Sequence, residues 1–108
     1  MGKYFKAHDF SNAKDGDLRV WWIPQVGAKI PTFRIPVNTI REAKLLLDTL
    51  AFYDLYQLDN RIKPDYANTG ELECYEKGDG ENMDWYEWHN DDGEDIDHVD
   101  DNGNTLQE

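Results

Sequence analysis

The sequence predicts an α+β fold, in which one helix packs on one face of an antiparallel sheet and a mobile acidic tail follows. Three observations support this class. Four segments have the alternation and the β-branched or aromatic content of strands. One segment has the period of an amphipathic helix. The elements occur in the order β-β-α-β-β, and an extra strand near the N-terminus would give the sheet five strands.

The first two strands precede the helix as a hairpin. Residues 18–23 are largely apolar on both faces of the predicted strand, which is typical of a strand that is central or covered on both sides. Gly27 lies in the connection, and residues 30–37 form the second strand. Pro31 and Pro36 have no backbone N–H, so we expect this strand at an edge of the sheet.

The helix is the clearest element in the chain. Thr39 and Glu42 form a capping box, because the hydroxyl accepts a backbone N–H while the carboxylate reaches back to the cap. From Ile40 to Tyr53 or a little beyond, apolar residues recur at helical spacing and form a stripe for the core. We expect the core to contain Val20, Trp22, Ile35, Val37, Leu47, Leu50 and Leu72.

A second hairpin and an acidic tail follow the helix. Residues 71–77 and 83–89 read as strands, with a glycine-rich turn between them. From residue 94 onward only three aliphatic residues remain, too few to offset the entropy of ordering the chain. The sequence therefore predicts one domain over residues 1–93 and a flexible acidic tail over residues 94–108.

The negative charge lies in the last third of the chain. Residues 71–108 hold fifteen of the 23 acidic residues against the single Lys77, a net charge of −14, whereas residues 1–70 carry +2. Such asymmetry is typical of an acidic face or tail that meets a partner. It disfavours direct binding of nucleic acid, whose phosphates it would repel. No apolar stretch is long enough to span a membrane.

Four segments resemble a group of small accessory proteins encoded by tailed phages and prophages. They read LRVWWIPQV at 18–26, EAKLLLDTLA at 42–51, YDLYQL at 53–58 and IKPDYAN at 62–68. The resemblance covers roughly residues 18–90. It implies the cytoplasm of a bacterial host cell during infection or lysogeny, where such proteins commonly bind and inhibit host machinery, including defence systems. It implies no catalytic residue, ligand or cofactor.

The leading hypothesis is an interaction protein that binds and inhibits a host protein through its acidic, aromatic-rich C-terminal third. Clustered carboxylates complement a basic surface, such as one that binds nucleic acid, and accelerate association. Aromatic side chains beside them can anchor the complex. The candidate partner-binding residues are Asp84, Trp85, Glu87, Trp88, Asp91, Asp92, Asp95 and Asp97.

Two hypotheses from other classes remain open. In one, an oligomer sequesters a nucleotide signal, with guanidinium groups for the phosphate and aromatic rings for the base. Its ligand-binding residues would be Arg19, Trp21, Arg34 and Tyr66. In the other, the chain is a structural or assembly accessory.

An enzyme is the least expected class. The sequence predicts no catalytic residue, no metal site and no cofactor, because nucleophile motifs and metal-ligand spacings are absent. Cys74 falls within a predicted strand and is expected to be a small core residue. Large aromatic residues on the sheet face opposite the helix predict a homo-oligomer.

Overall fold

The computed structural model describes residues 4–25, 31–63, 68–80 and 82–106 and confirms the α+β class. Its strands are β1 (Leu18–Ile23), β2 (Phe33–Val37), β3 (Thr69–Lys77) and β4 (Met83–Glu87), with the helix α1 (Ile40–Asp59) between β2 and β3. The strands form one antiparallel sheet in the order β2-β1-β3-β4. The predicted element order is therefore confirmed.

The strands differ from the prediction mainly at their ends. β2, which contains Pro36, is an edge strand as predicted, and it begins at Phe33. The connection at residues 26–30 lies outside the described residues. β3 begins two residues earlier than predicted and β4 ends two residues earlier. No strand forms over residues 4–17, so the described part of the chain has a four-stranded sheet.

The helix begins at the predicted cap. The backbone N–H of Glu42 donates to Thr39 Oγ1 at 3.1 Å, and Glu42 Oε1 accepts from the backbone N–H of Asn38 at 2.7 Å. The helix runs six residues past Tyr53, to Asp59, so α1 has 20 residues and is about 30 Å long.

The C-terminal half of α1 is tied to the end of β1. Asp54 is buried on the helix, and the ammonium of Lys63 lies 3.1 Å from its Oδ2. The same ammonium donates to the carbonyl of Pro24, directly after β1. This buried ion pair holds the helix C-terminus against the sheet.

One core joins the sheet, the helix and the C-terminal segment. Of the predicted core residues, four are buried in this cluster, whereas Val37 and Leu50 are half-buried against it and Ile35 is half-buried. The buried apolar residues of the cluster are Val20, Trp22, Ala43, Leu47, Leu72, Ile96 and Val99.

The C-terminal segment departs furthest from the prediction. Ile96 and Val99 are among the most completely buried side chains of the protein, so the structure does not show the mobile tail that the composition predicts. The 3₁₀ turn Ile96–His98 packs against α1. The core therefore crosses the domain boundary predicted between residues 93 and 94.

Candidate functional site

The first loop of the C-terminal segment (residues 90–94) is built by one asparagine side chain. Asn90 Oδ1 accepts from the backbone N–H groups of Asp92, at 3.0 Å, and Glu94, at 2.8 Å. The backbone N–H of Asn90 also donates to the carbonyl of Glu94 at 2.9 Å. Gly93 has a φ of +80°, a conformation that glycine adopts without strain.

The second loop (residues 100–104) repeats this arrangement. Asp100 Oδ1 accepts from the backbone N–H groups of Asn102, at 2.9 Å, and Asn104, at 3.0 Å. The backbone N–H of Asp100 donates to the carbonyl of Asn104 at 2.8 Å, and Gly103 has a φ of +84°. Each loop closes on itself through side-chain acceptors, which is the characteristic use of Asn and Asp in turns.

The two loops are joined to each other. Asn90 Nδ2 donates to the carbonyl of Gly103 at 3.2 Å and contacts Thr105 Oγ1 at 3.3 Å. Thr105 Oγ1 in turn donates to Asp92 Oδ2 at 3.0 Å. A β-bridge between Val99 and Thr105 closes the second loop at its base. The C-terminal segment is thus a folded scaffold.

A third carboxylate organises the 3₁₀ turn between the loops. Asp95 Oδ1 accepts from the backbone N–H of Asp97 at 3.0 Å and lies 2.7 Å from His98 Nδ1. This hydrogen bond raises the pKa of His98 and lowers the pKa of Asp95. The turn directs Ile96 into the core while the charged groups stay at the surface.

Contacts with α1 hold the scaffold from the other side. Lys44 Nζ donates to the carbonyl of Val99 at 2.7 Å. Arg41 Nε lies 3.9 Å from Asp101 Oδ2, at a solvent-exposed position. Both contacts use the basic residues of the first half of α1, so the acidic segment lies beside that part of the helix.

We use the term acidic surface for the carboxylates carried by this scaffold and by the end of β4. They are Glu87, Asp91, Asp92, Glu94, Asp95, Asp97, Asp100 and Asp101.

The pKa of Glu71 on β3 is affected by the negative charges of the acidic surface. Burial raises its pKa to about 7, together with the negative charges of Asp97, Glu87 and Asp95, while His89 partly opposes the shift. His89 itself lies with its Nε2 2.9 Å from Glu87 Oε2. Burial is the largest cause of the pKa shift of Glu71, and the neighbouring carboxylates add to it.

Of the predicted partner-binding carboxylates, Glu87, Asp95 and Asp97 all act on Glu71, and Asp91 and Asp92 lie on the first loop. Asp84 lies near the start of β4, in register with Glu76, and its Oδ1 accepts from the backbone N–H of Trp85. Partner binding by these residues stays a prediction.

The two predicted aromatic anchors belong to the packing of the protein. The Trp85 ring lies 5.2 Å from Tyr75, 5.6 Å from Phe10 and 4.0 Å from the guanidinium of Arg19. Trp88 is half-buried and packs against the core. Both rings are thus partly used in contacts within the chain, and their role as anchors for a partner stays a prediction.

The residues of the nucleotide hypothesis are only partly brought together. Arg34 lies opposite Trp21 in the β1–β2 register. Arg19 Nε, however, donates to Glu73 Oε1 at 2.8 Å, and its guanidinium is 4.9 Å from the Phe10 ring and 4.0 Å from the Trp85 ring. Its charge is therefore already neutralised. Tyr66 lies outside the described residues.

The N-terminal segment contacts the sheet face opposite the helix at Trp85, where Phe10 packs edge-on against the ring. Phe5 lies edge-on to Phe33 with ring centroids 6.4 Å apart, but Phe33 pairs with the buried Trp22 and packs against the core on the helix side. The homo-oligomer through the opposite face stays a prediction.

The described ranges, with their gaps, contain no group of three or more His, Cys, Asp or Glu residues placed to hold a metal ion. Cys74 is half-buried, and burial raises the pKa of its thiol, with smaller contributions from Glu76, Asp15 and Asp17. No helix in the described part of the chain is long and apolar enough to cross a membrane.

Sequence reasoning missed two features. The scaffold has a signal in the sequence, because an Asn or Asp followed three residues later by Gly recurs at a spacing of ten residues. The second feature is a set of exposed apolar side chains on and just beyond α1, which we call the outer stripe. It consists of Leu45, Phe52, Tyr53, Leu55, Tyr56 and Ile62.

Comparison with known proteins supports a phage origin and confirms the resemblance to small phage accessory proteins. The model of a family described as superinfection exclusion gene product 17 matches residues 17–108. A superinfection exclusion protein of Salmonella phage P22 is 40% identical over 80 residues, which cover 67% of this chain and 76% of the relative. No solved structure matches the chain.

Proposed function

We propose a function from one premise: the chain belongs to the superinfection exclusion gene product 17 family. It is a phage protein, and in our proposal it acts inside the infected bacterium to block a second phage. It does so by binding a host protein through the acidic surface. The partner would present a basic patch, as proteins that bind nucleic acid do, and the binding would inhibit it.

The observation that carries this proposal is the fixed geometry of the acidic surface. Asn90 and Asp100 close the two loops, and Ile96 and Val99 anchor the segment in the core. The backbone that carries the carboxylates is therefore ordered before a partner arrives. A pre-ordered surface loses less conformational entropy on binding than a mobile tail does.

The negative charges around Glu71 indicate which kind of partner the acidic surface would bind. The raised pKa of Glu71 arises from burial and from repulsion by Asp97, Glu87 and Asp95. A lysine or arginine of a partner placed beside these groups would relieve that repulsion and let Glu71 release its proton. The proposal therefore favours a cationic partner over an anionic one.

The acidic surface contains charges that can be reversed without touching the scaffold. Asp91 and Asp97 are exposed, and their carboxylates take no part in the hydrogen bonds that close the loops. The double variant Asp91→Lys/Asp97→Lys should therefore keep the fold. If the charge carries the function, cells that express this variant should lose exclusion, with plaque numbers of an excluded phage rising about tenfold or more.

The matched control is Asp15→Lys/Asp79→Lys. Both residues are exposed, and they lie near the far ends of β3 and β4, away from the loops. This variant changes the net charge by the same amount and should exclude phage like the wild-type chain. Equal exclusion by the two variants would overturn the proposed role of the acidic surface, and failure of the wild-type chain to exclude any tailed phage would overturn the proposed function itself.

A further inference from the structure

We propose that the outer stripe of α1 is the interface of a homodimer in which two helices pack antiparallel across a two-fold axis. The outer stripe contains none of the carboxylates of the acidic surface, although Arg41 beside it lies 3.9 Å from Asp101, and the proposal does not depend on the proposed function.

The outer stripe is unusual for a surface helix. At 100° per residue, Leu45, Phe52 and Tyr56 follow one line along α1, opposite the buried Ala43 and Leu47. Tyr53 and Leu55 flank the C-terminal half of this line, where the rings of Tyr53 and Tyr56 stack with centroids 6.5 Å apart. The exposed Asp48 and Thr49 separate Leu45 from Phe52. The apolar patch from Phe52 to Tyr56 is costly to leave in water.

The exposed area approaches what a stable dimer needs from each subunit. The six side chains of the outer stripe are between 46% and 74% exposed, and Phe52 is the most exposed of them. The contiguous part of the outer stripe consists of Phe52, Tyr53, Leu55 and Tyr56 and presents roughly 500 Å², somewhat less than the roughly 800 Å² that one partner contributes to an interface of standard size. This is near the upper end of the roughly 300–600 Å² of the largest apolar patch on a typical monomer.

The charges at the two ends of α1 identify a second copy as the occupant. Arg41 and Asp59 are both exposed and lie on the same flank of the outer stripe, one in the first turn and one in the last. If two helices cross antiparallel near Leu50, Leu45 of one copy faces Tyr56 of the other. Arg41 then faces Asp59 of the other copy, at both ends of the interface. A two-fold interface requires such self-complementarity.

A charge-swap experiment on the full chain tests this pairing. Within one helix, Arg41 and Asp59 are about 27 Å apart and cannot contact each other. Arg41→Asp places a negative charge in the first turn and Asp59→Arg a positive charge in the last, and both agree with the helix dipole. Arg41→Asp also removes the pair with Asp101, but that pair is solvent-exposed and contributes little to stability, so neither variant should unfold the protein. Each single variant should weaken dimerisation about five- to tenfold, because it creates two like-charge pairs. The double variant should restore the wild-type affinity.

Sedimentation equilibrium provides the readout. The wild-type chain should sediment at twice its 12.6 kDa at tens of micromolar. Phe52→Asp should weaken the dimer about a hundredfold, because it places a charge near the axis of an apolar interface. Leu106→Asp, at an exposed apolar position of the C-terminal segment, is the control and should leave the dimer intact.

Two outcomes would overturn the proposal. One is a wild-type chain that stays monomeric at about 100 µM, a concentration well above the dissociation constant expected of an interface of this size. A double charge swap that fails to recover dimerisation would overturn it as well.

Discussion

Ile96→Ala is the sharpest test of the packing of the C-terminal segment. The side chain is 2% exposed and belongs to the same cluster as Val20 and Leu72. Truncating a buried isoleucine to alanine removes its transfer free energy and leaves a cavity, which together lower the free energy of unfolding by about 2–5 kcal/mol. For a domain of this size that loss is a large share of a total near 5–15 kcal/mol.

Urea unfolding followed by tryptophan fluorescence measures this loss, because Trp22 and Trp88 both lie at the core cluster. The matched control is Leu106→Ala, in the same segment but 53% exposed, which should change the free energy of unfolding by less than about 0.5 kcal/mol. If the segment were a mobile tail, the two variants would behave alike. An Ile96→Ala variant as stable as the wild-type chain would refute the packed scaffold.

Three further predictions concern other parts of the fold. Glu71 has a higher pKa in the folded chain than in the unfolded chain, so between pH 4.5 and about 7 the folded chain binds the proton more tightly. The free energy of unfolding should therefore fall as the pH rises through this range. Glu71→Gln should remove this dependence and raise the free energy of unfolding at pH 8 by about 1–2 kcal/mol after allowance for solvent screening, with no gain at pH 4. Gly103→Ala should cost about 1–2 kcal/mol, because φ is +84° there, whereas Gly80→Ala should be neutral in the same thermal melt. Lys63→Met should cost about 3–5 kcal/mol in urea unfolding by leaving the Asp54 carboxylate buried alone, and adding Asp54→Leu should recover most of it.

The sheet and the start of the helix could be predicted because their signals are local. Alternation along residues 18–23 fixes which side chains of β1 face the core, and the register then buries Val20 opposite Leu72. Thr39 and Glu42 mark the helix start through groups only three residues apart. Each of these inferences depends on neighbours in the sequence.

The structure of the C-terminal segment could not be predicted from its composition. Counting acidic residues treats each one as a charge, whereas Asn90 and Asp100 act here as hydrogen-bond acceptors that close loops. Only three aliphatic residues occur from residue 94 onward, but two of them, Ile96 and Val99, enter the core. A count of aliphatic residues takes no account of these positions. Few apolar residues suffice when loops place them correctly.

The role of Trp85 could not be predicted for a different reason. Its partners Phe10 and Arg19 are distant in sequence, and their contact depends on how the N-terminal segment crosses the sheet. The outer stripe of α1 could not be predicted from helical periodicity, because the charged Asp48 lies on the same side of the helix as Leu45 and Phe52. Both features depend on the arrangement of whole elements.

Site-specific photo-crosslinking in infected cells tests most directly whether the acidic surface is where the partner binds. A photoreactive amino acid at position 91 should yield a discrete adduct with a host protein during phage challenge, and Asp97→Lys in the same chain should abolish it. The same photoreactive group at position 79, at the far end of the sheet, should yield no such adduct. No adduct at position 91, or the same adduct at both positions, would contradict binding through the acidic surface.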